Sequence, residues 1–291
     1  LVESTFIVTD SPLSEVQVKR WRHAEITATN DQVAEETPIA LIYNGVSHAV
    51  MLATPQDLED FALGFSLSEG ILQHKSELYD MEVVAQADGI ELRLDIATAC
   101  FVRLKEKRRS LVGRTGCGLC GAESLAQALR LPKRFENDAL EPNIHAVSRA
   151  SVVNPKIDVN SIEKAFGAMQ SKQFLQQATG ATHASAYVNA SGEVLLVRED
   201  VGRHNAMDKL IGALAKVGQL EHGFVLTSSR ASYEMVQKVA QAGFTMLVAI
   251  SAPTGLAIRL AEQYGVCLVG FLREQQCVIY AHADRIETSI R

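Results

Sequence analysis

Short apolar runs alternate with amphipathic ones across residues 182–270, and no other feature of the chain narrows the possible folds as far. Strands are expected over 182–188, 194–198, 224–227, 245–250 and 266–270, with a Ser191-Gly192 turn between the first two. Helices are expected over 202–215, 232–242 and 254–263, and two more upstream over 161–170 and 173–179. Such alternation implies a partly parallel sheet with helices on its faces, an α/β layered unit.

The first third of the chain reads differently. Residues 1–22 look like an extended arm. Runs 38–43 and 46–51 flank Asn44-Gly45, a strong hairpin signal because a type I′ turn needs positive φ at both central positions. Thr54-Pro55-Gln56-Asp57 opens a helix: Thr54 can cap, Pro55 suits the first turn, and Asp57 favours the N-terminal dipole. Leu58, Phe61, Ala62, Phe65 and Leu67 fall on one face and Gly70 can end it. Two or three strands are expected between residues 79 and 104, with Asp88-Gly89 as a turn. Residues 131–145, with Pro132 and Pro142, read as a linker. The fold class is therefore α/β, divided into an arm (1–22), a small α+β domain (23–112), a cysteine loop with helix and linker (113–145) and an α/β domain (146–291).

Between these halves lies Arg114-Thr115-Gly116-Cys117-Gly118-Leu119-Cys120-Gly121. The glycines leave the sulfurs unscreened. The basic run Lys105, Lys107, Arg108 and Arg109 precedes the pair, and a helix over 122–129 follows it. Nearby cations and a helix N-terminus both favour thiolate, the nucleophilic form. Four readings stand: a thioredoxin-like redox pair, half of a zinc site, two buried thiols, or a mobile loop that attacks and carries sulfur. No second CxxC exists to complete a four-cysteine site, since the other cysteines are Cys100, Cys267 and Cys277.

Four polar stretches flank the expected strands of the second half. They are Thr179-Gly180-Ala181-Thr182-His183-Ala184-Ser185, Arg198-Glu199-Asp200-Val201-Gly202-Arg203-His204-Asn205, Thr227-Ser228-Ser229-Arg230 and Ser251-Ala252-Pro253-Thr254-Gly255. The last three follow strands, where α/β sheets bind ligands. Arginines, hydroxyls and helix N-termini suit a phosphorylated ligand. Equally, Asp200, Ser229 and Thr254 can simply cap helices, and His183 and His204 can be buried, hydrogen-bonded histidines.

Net charge of −6 argues against nucleic acid as a partner, so an anionic ligand must meet a local basic patch. Five cysteines in 291 residues make no disulfide framework and fit a reducing cytoplasm. No apolar run reaches membrane-spanning length, and residues 1–20 lack a leader pattern. The absence of an initial Met reads as a trimmed or partial start. His23-Ala24-Glu25 supplies the H-x-E of zinc deaminases, but far from Cys117 and without the proline that precedes their C-x-x-C.

The stretch from Gly113 to Gly121, the run Arg198-Glu199-Asp200-Val201-Gly202-Arg203-His204-Asn205-Ala206-Met207-Asp208-Lys209, and Ser228-Ser229-Arg230 followed by Ile250-Ser251-Ala252-Pro253-Thr254 resemble the FdhD family of formate dehydrogenase accessory sulfurtransferases. The resemblance runs from about Thr37 to Ile286. It implies that a cysteine desulfurase hands sulfur to the CxxC loop as a persulfide, with Cys117 as the carrier and Cys120 as the supporting thiol. It implies as substrate the molybdenum cofactor in its bis-(molybdopterin guanine dinucleotide) form, sulfurated before it enters formate dehydrogenase. Its cofactor-binding segment maps onto Phe271-Leu272-Arg273-Glu274-Gln275-Gln276, where acidic Glu274 departs from the family's basic pattern. The resemblance further implies a cytidine-deaminase-like three-layer α/β/α fold for the larger domain, without zinc ligands. The expected pocket is lined by Arg203, His204, Ser229 and Arg230, with no resident metal. A symmetric homodimer is expected for a carrier of a two-pterin substrate. A cofactor chaperone without sulfur chemistry and a thiol-disulfide oxidoreductase remain the alternatives.

Overall fold

The computed structural model describes residues 11–109, 156–217 and 220–288. Cys117, Cys120, the helix expected over 122–129 and the linker expected over 131–145 lie outside the described residues.

The described chain opens on a two-stranded ribbon, β1 (Leu13–Arg22) and β2 (Glu25–Ala34), paired antiparallel from Leu13↔Ala34 to Arg22↔Glu25. The described part of the stretch expected as an arm is thus largely one strand of a hairpin, and its return strand occupies residues expected in the small domain. Its turn places His23 and Ala24 at positive φ, 46° and 68°, in place of the glycine or asparagine that usually marks such a turn.

Next come β3 (Thr37–Tyr43) and β4 (Val46–Ala53), joined at Asn44-Gly45 with φ of 46° and 77°, the type I′ turn expected. Helix α1 (Leu58–Ser68) follows, then β5 (Leu78–Gln86) and β6 (Gly89–Ile96). The sheet order is β4-β3-β6-β5, with β3 and β6 parallel. Strand β3 alternates cleanly, with Ile39, Leu41 and Tyr43 fully buried, so one sheet face meets the core. One expectation fails locally, and the choice between two and three strands is settled at two. Thr54 does not cap α1, whose N-cap is Asp57 at φ 52° without a side-chain bond. Residues after 97 form no third strand but helix α2 (Thr98–Arg109), which has no strong apolar periodicity to announce it.

The second half contains β7 (Ile157–Asp158), α3 (Val159–Ser171), α4 (Phe174–Thr179), β8 (His183–Asn189), β9 (Val194–Asp200), α5 (Arg203–Lys216), β10 (Gly223–Thr227), α6 (Tyr233–Gln241), β11 (Met246–Ala249), α7 (Gly255–Tyr264), β12 (Cys267–Arg273), β13 (Gln276–Ala281) and β14 (Ile286–Glu287). Six strands form one sheet in the order β13-β12-β11-β10-β8-β9. Strands β10, β11 and β12 are parallel, and β8, β9 and β13 add antiparallel pairs. Its central strands are apolar on both faces. Phe224, Leu226, Met246 and Val248 pack in one cluster with Ile162 and Met169 of α3. Val225, Leu247 and Leu268 pack in the other with α5, α6 and α7.

That second cluster also takes in the first sheet and α1, so both halves share a core. Helices α1 and α5 cross with their backbones nearly touching: a Cβ at Gly64 would lie 1.7 Å from the Asp208 carbonyl oxygen, and one at Gly212 1.9 Å from that of Asp60. No side chain other than hydrogen fits either place. Beside the crossing, Lys238 donates to Asp208 Oδ1 (2.9 Å), Ser68 Oγ (2.9 Å) and Glu69 Oε1 (2.9 Å), and Ser68 donates to Asp208 (2.6 Å). Burial alone pulls the Lys238 ammonium pKa down, but Asp208 and Glu69 outweigh it and hold it up.

Candidate functional site

The carboxyl ends of β9, β10, β11 and β12 lie along one sheet edge, which the amino end of β8 joins because it runs antiparallel. All four polar stretches singled out in the sequence meet there. The loops are stitched together: Ala184 donates to Ser228 Oγ (2.8 Å), Ile250 to the Thr227 carbonyl (3.0 Å), Thr254 to that of Ala231 (3.0 Å), and Phe271 to that of Ser251 (3.2 Å).

The Arg198–Lys209 run divides between cement and site. Arg198 pairs with Asp60 of α1 (2.8 Å). Glu199 accepts from the Leu175 and Gln176 amides (2.9 Å each), the first turn of α4, and from Thr182 Oγ1 (3.1 Å). Asp200, fully buried, accepts from the amides of Thr54 (3.0 Å) and Gly202 (2.8 Å) and from Asn205 Nδ2 (3.0 Å). Its ion pair with Lys209 spans 2.7 Å, and Lys209 also donates to the Thr54 carbonyl (2.9 Å). Burial pulls the Lys209 ammonium pKa down despite Asp200. Thr54 Oγ1 accepts from Val201 (3.1 Å), which is why it is not available to cap α1. These residues tie the first sheet to the second. The structural reading prevails for them.

Arg203 and His204 are left facing the edge at the start of α5, half-buried. His204 Nε2 lies 2.9 Å from Glu234 Oε2. It holds the Glu234 carboxyl below its ordinary pKa. His183 is pushed down by burial and by the Arg203 charge, and so favours its neutral form. Three buried polar atoms gathered here have no described partner: Ser185 Oγ, Ser232 Oγ and Arg203 Nε. Such atoms are costly unless a ligand or water meets them. Sequence reasoning missed Ser232 and Glu234, which sit in the first turn of α6 and form no motif with His204.

Ser229 is buried and bonded to Thr227 Oγ1 (3.1 Å) and the Arg230 carbonyl (3.0 Å), so its hydroxyl caps no helix. The Arg230 side chain is exposed. Thr254 does cap α7, accepting from Ala257 (3.3 Å).

The segment expected to bind cofactor is the β12–β13 hairpin. Phe271 sits in a bulge at φ 51° and is 41% exposed, while Leu272 is core. Arg273 Nη1 donates to the Ile250 carbonyl. Glu274 and Gln275 form the turn, with the Gln275 amide on Glu163 Oε1 of α3 (3.1 Å), and Gln276 pairs with Arg273. Only Phe271 and Arg273 join the edge that holds Arg203, His204, Ser229 and Arg230. Two hollows of about 440 and 400 Å³ lie elsewhere, on the first sheet and between α3 and Glu274.

Among the described residues no group of three or more His, Cys, Asp or Glu is placed to hold a metal ion. Nor is any helix among them long and apolar enough to cross a membrane.

The fold is that of a crystal structure from Desulfotalea psychrophila assigned as a formate dehydrogenase accessory protein. The TM-score is 0.68, at 20% identity over 94% of this chain and 99% of that one. Among curated relatives, the sulfur carrier protein FdhD of Cupriavidus necator is 54% identical over 94% of this chain and 90% of its own. The protein of the same name from Bordetella parapertussis is 50% identical over 93% of each chain. The FdhD/NarQ family model matches residues 34–287, from the root of the ribbon to the last described strand, and the chain belongs to the FdhD/NarQ family.

Proposed function

We infer that this chain is a sulfurtransferase, a sulfur carrier that serves the maturation of formate dehydrogenase. The observation that carries this reading is the near full-length identity to curated sulfur carriers, 54% over 275 residues.

Cys117 is the residue that takes the sulfur. Its thiolate attacks the outer sulfur of a desulfurase persulfide; the desulfurase cysteine leaves as thiolate, and Cys117 becomes the persulfide. Attack by Cys120 on the inner sulfur would then release the outer one as sulfide. The two electrons come from the cysteine pair, which closes as a disulfide. The glycines around both cysteines supply the conformational freedom that such a carrier needs.

The acceptor is the molybdenum cofactor in its bis-(molybdopterin guanine dinucleotide) form, bound as substrate along the sheet edge. The residues there fit its phosphates. Arg203 and Arg230 bring charge, and the unpartnered Ser185, Ser232 and Arg203 atoms bring donors that a phosphate would satisfy. Phe271, exposed at the bulge, offers a face for a flat ring. The order β9-β8-β10-β11-β12, with two antiparallel strands beside three parallel ones, supports a cytidine-deaminase-like reading of the larger unit. The cysteine desulfurase and formate dehydrogenase are the protein partners of this scheme.

The test is mass spectrometry of the protein after incubation with a cysteine desulfurase and cysteine, beside Cys117→Ala and Cys120→Ala. A reductant-labile gain of one sulfur, lost in Cys117→Ala and kept in Cys120→Ala, is expected. No gain in any form, with the desulfurase active on another acceptor, would leave a cofactor chaperone whose cysteines are structural.

A further inference from the structure

Helix α2 is the element from which the chain runs on to the cysteine pair: its last residue, Arg109, precedes Cys117 by eight positions. Its inner face is core. Cys100 and Leu104 are buried, and Phe101 packs against the same cluster. The outer face is bare. Val102 is 48% exposed, with Ala99, Lys105 and Glu106 exposed around it. A β-branched residue there lowers helix propensity and gains no burial in return. The face offers no nucleophile either, because the one thiol of the helix, Cys100, points into the core.

The same helix concentrates positive charge. Residues 103–109 hold five cations against one acid, Glu106, in a chain of net charge −6. Arg103 is already engaged, 3.8 Å from Glu77 and donating to Cys100 Sγ (3.0 Å). Lys105 is not: its Nζ lies 4.2 Å from the centre of the Phe101 ring, and no described carboxylate pairs with it. The helix dipole favours cations in the last turn, which accounts for Lys107, Arg108 and Arg109. It does not account for Lys105 one turn earlier, or for the exposed Val102 beside it. An apolar centre with a charged rim is the make-up of a protein-docking patch.

We propose that the outer face of α2 is the dock for the protein that donates sulfur, and that the donor surface meeting it carries carboxylates beside the persulfide-bearing cysteine. The proposal rests on the sulfur-carrier reading above. Rim cations raise the encounter rate with an acidic partner and reject a basic one, an effect that weakens with salt. The donor is then held on the helix from which the cysteine segment continues.

Two sulfur donors separate docking from chemistry, both used on the full chain. One is a cysteine desulfurase with cysteine; the other is glutathione persulfide, which needs no dock. Sulfur gain is followed by mass spectrometry as the concentration of the chain is raised. Lys105→Glu combined with Lys107→Glu should raise the half-saturating concentration for the desulfurase at least about tenfold. The saturating rate, and the rate from glutathione persulfide, should stay within about twofold of the parent. Lys105→Arg should match the parent, and so should Lys19→Glu, the same charge change placed on the ribbon. Raising salt from about 50 to about 500 mM should close most of the gap between parent and double variant. Lys105 is exposed, so circular dichroism should show the fold intact. Equal slowing with both donors overturns the proposal, since the cations would then act on the thiolate. So does a double variant that loads like the parent, or an equal loss in Lys19→Glu, which would make net charge the cause. A parent loaded by neither donor would overturn the sulfur-carrier reading itself, and the dock with it.

Discussion

Replacing Gly64 with alanine attacks the contact that joins the two halves of the molecule. The added Cβ would lie 1.7 Å from the Asp208 carbonyl oxygen, and both atoms belong to helix backbones with no flexible end to swing away. Relief requires α1 and α5 to part by roughly 1.5 Å before the atoms reach ordinary contact. That displacement carries the 2.6 Å Ser68–Asp208 hydrogen bond out to about 4 Å, beyond bonding range. Overpacking costs about 1–3 kcal/mol, and loss of a hydrogen bond to a charged group about 1.5–3 kcal/mol. The expected loss is therefore roughly 3–6 kcal/mol, to be read as the shift of the urea midpoint at unchanged slope. Gly167→Ala is the matched control. That glycine is exposed within α3, with nothing within 4 Å of the added Cβ, so the substitution should stabilise by about 0.5–1 kcal/mol. A Gly64→Ala protein within about 1 kcal/mol of the parent would refute the reasoning, since helices able to absorb a methyl there are not packed backbone to backbone.

Three further outcomes are expected. Lys209→Met should cost about 3–5 kcal/mol in the same assay, because it strands the fully buried Asp200 carboxylate without its cation; a near-neutral result would mean that the three remaining donors suffice. In an NMR titration His183 should lose its proton below the ordinary histidine value, and Arg203→Met should move that midpoint upward by removing a neighbouring charge. An unmoved midpoint would place Arg203 away from His183. Burial raises the Glu77 carboxyl, but the Gln73 amide, the Cys100 thiol, the His74 amide and Arg103 outweigh it and leave its folded pKa depressed. Its contribution is thus present above the unfolded value of about 4.3 and fades as pH falls through the lower folded value. Glu77→Gln should flatten the acid limb of stability against pH, and an identical limb would assign that limb to other carboxylates.

The sequence carried those parts of the fold that local chemistry decides. Asn44-Gly45 is found at positive φ because that dipeptide tolerates it better than others, and the apolar runs of β10, β11 and β12 are buried on both faces as their composition demands. The first ribbon was hidden because His23 and Ala24 take the same backbone shape without the residues that advertise it. Thr54 was misplaced for a different reason: its cap competes with Val201 and Asp200, whose approach from 146 residues away no local pattern records.

The same limit divides the Arg198–Lys209 run. Charged residues in a strand-to-helix loop look alike in sequence whether they meet a ligand or a second sheet. What separates them is burial, and burial is decided by packing. Asp200, Asp208 and Lys209 are almost wholly enclosed: Asp200 and Lys209 pair with each other and with Thr54, just past β4, and Asp208 is met by Ser68 of α1 and Lys238 of α6, so their charges are already spent within the protein. Arg203, in the intervening turn of α5, keeps a buried donor that no described residue meets, and His204 beside it meets Glu234 of α6 rather than the first sheet. A single helical turn thus alternates between fixing the two halves together and facing the open edge. Loss of the buried members would displace the exposed ones, so substitutions at Asp200 or Lys209 should impair the edge without touching anything bound there.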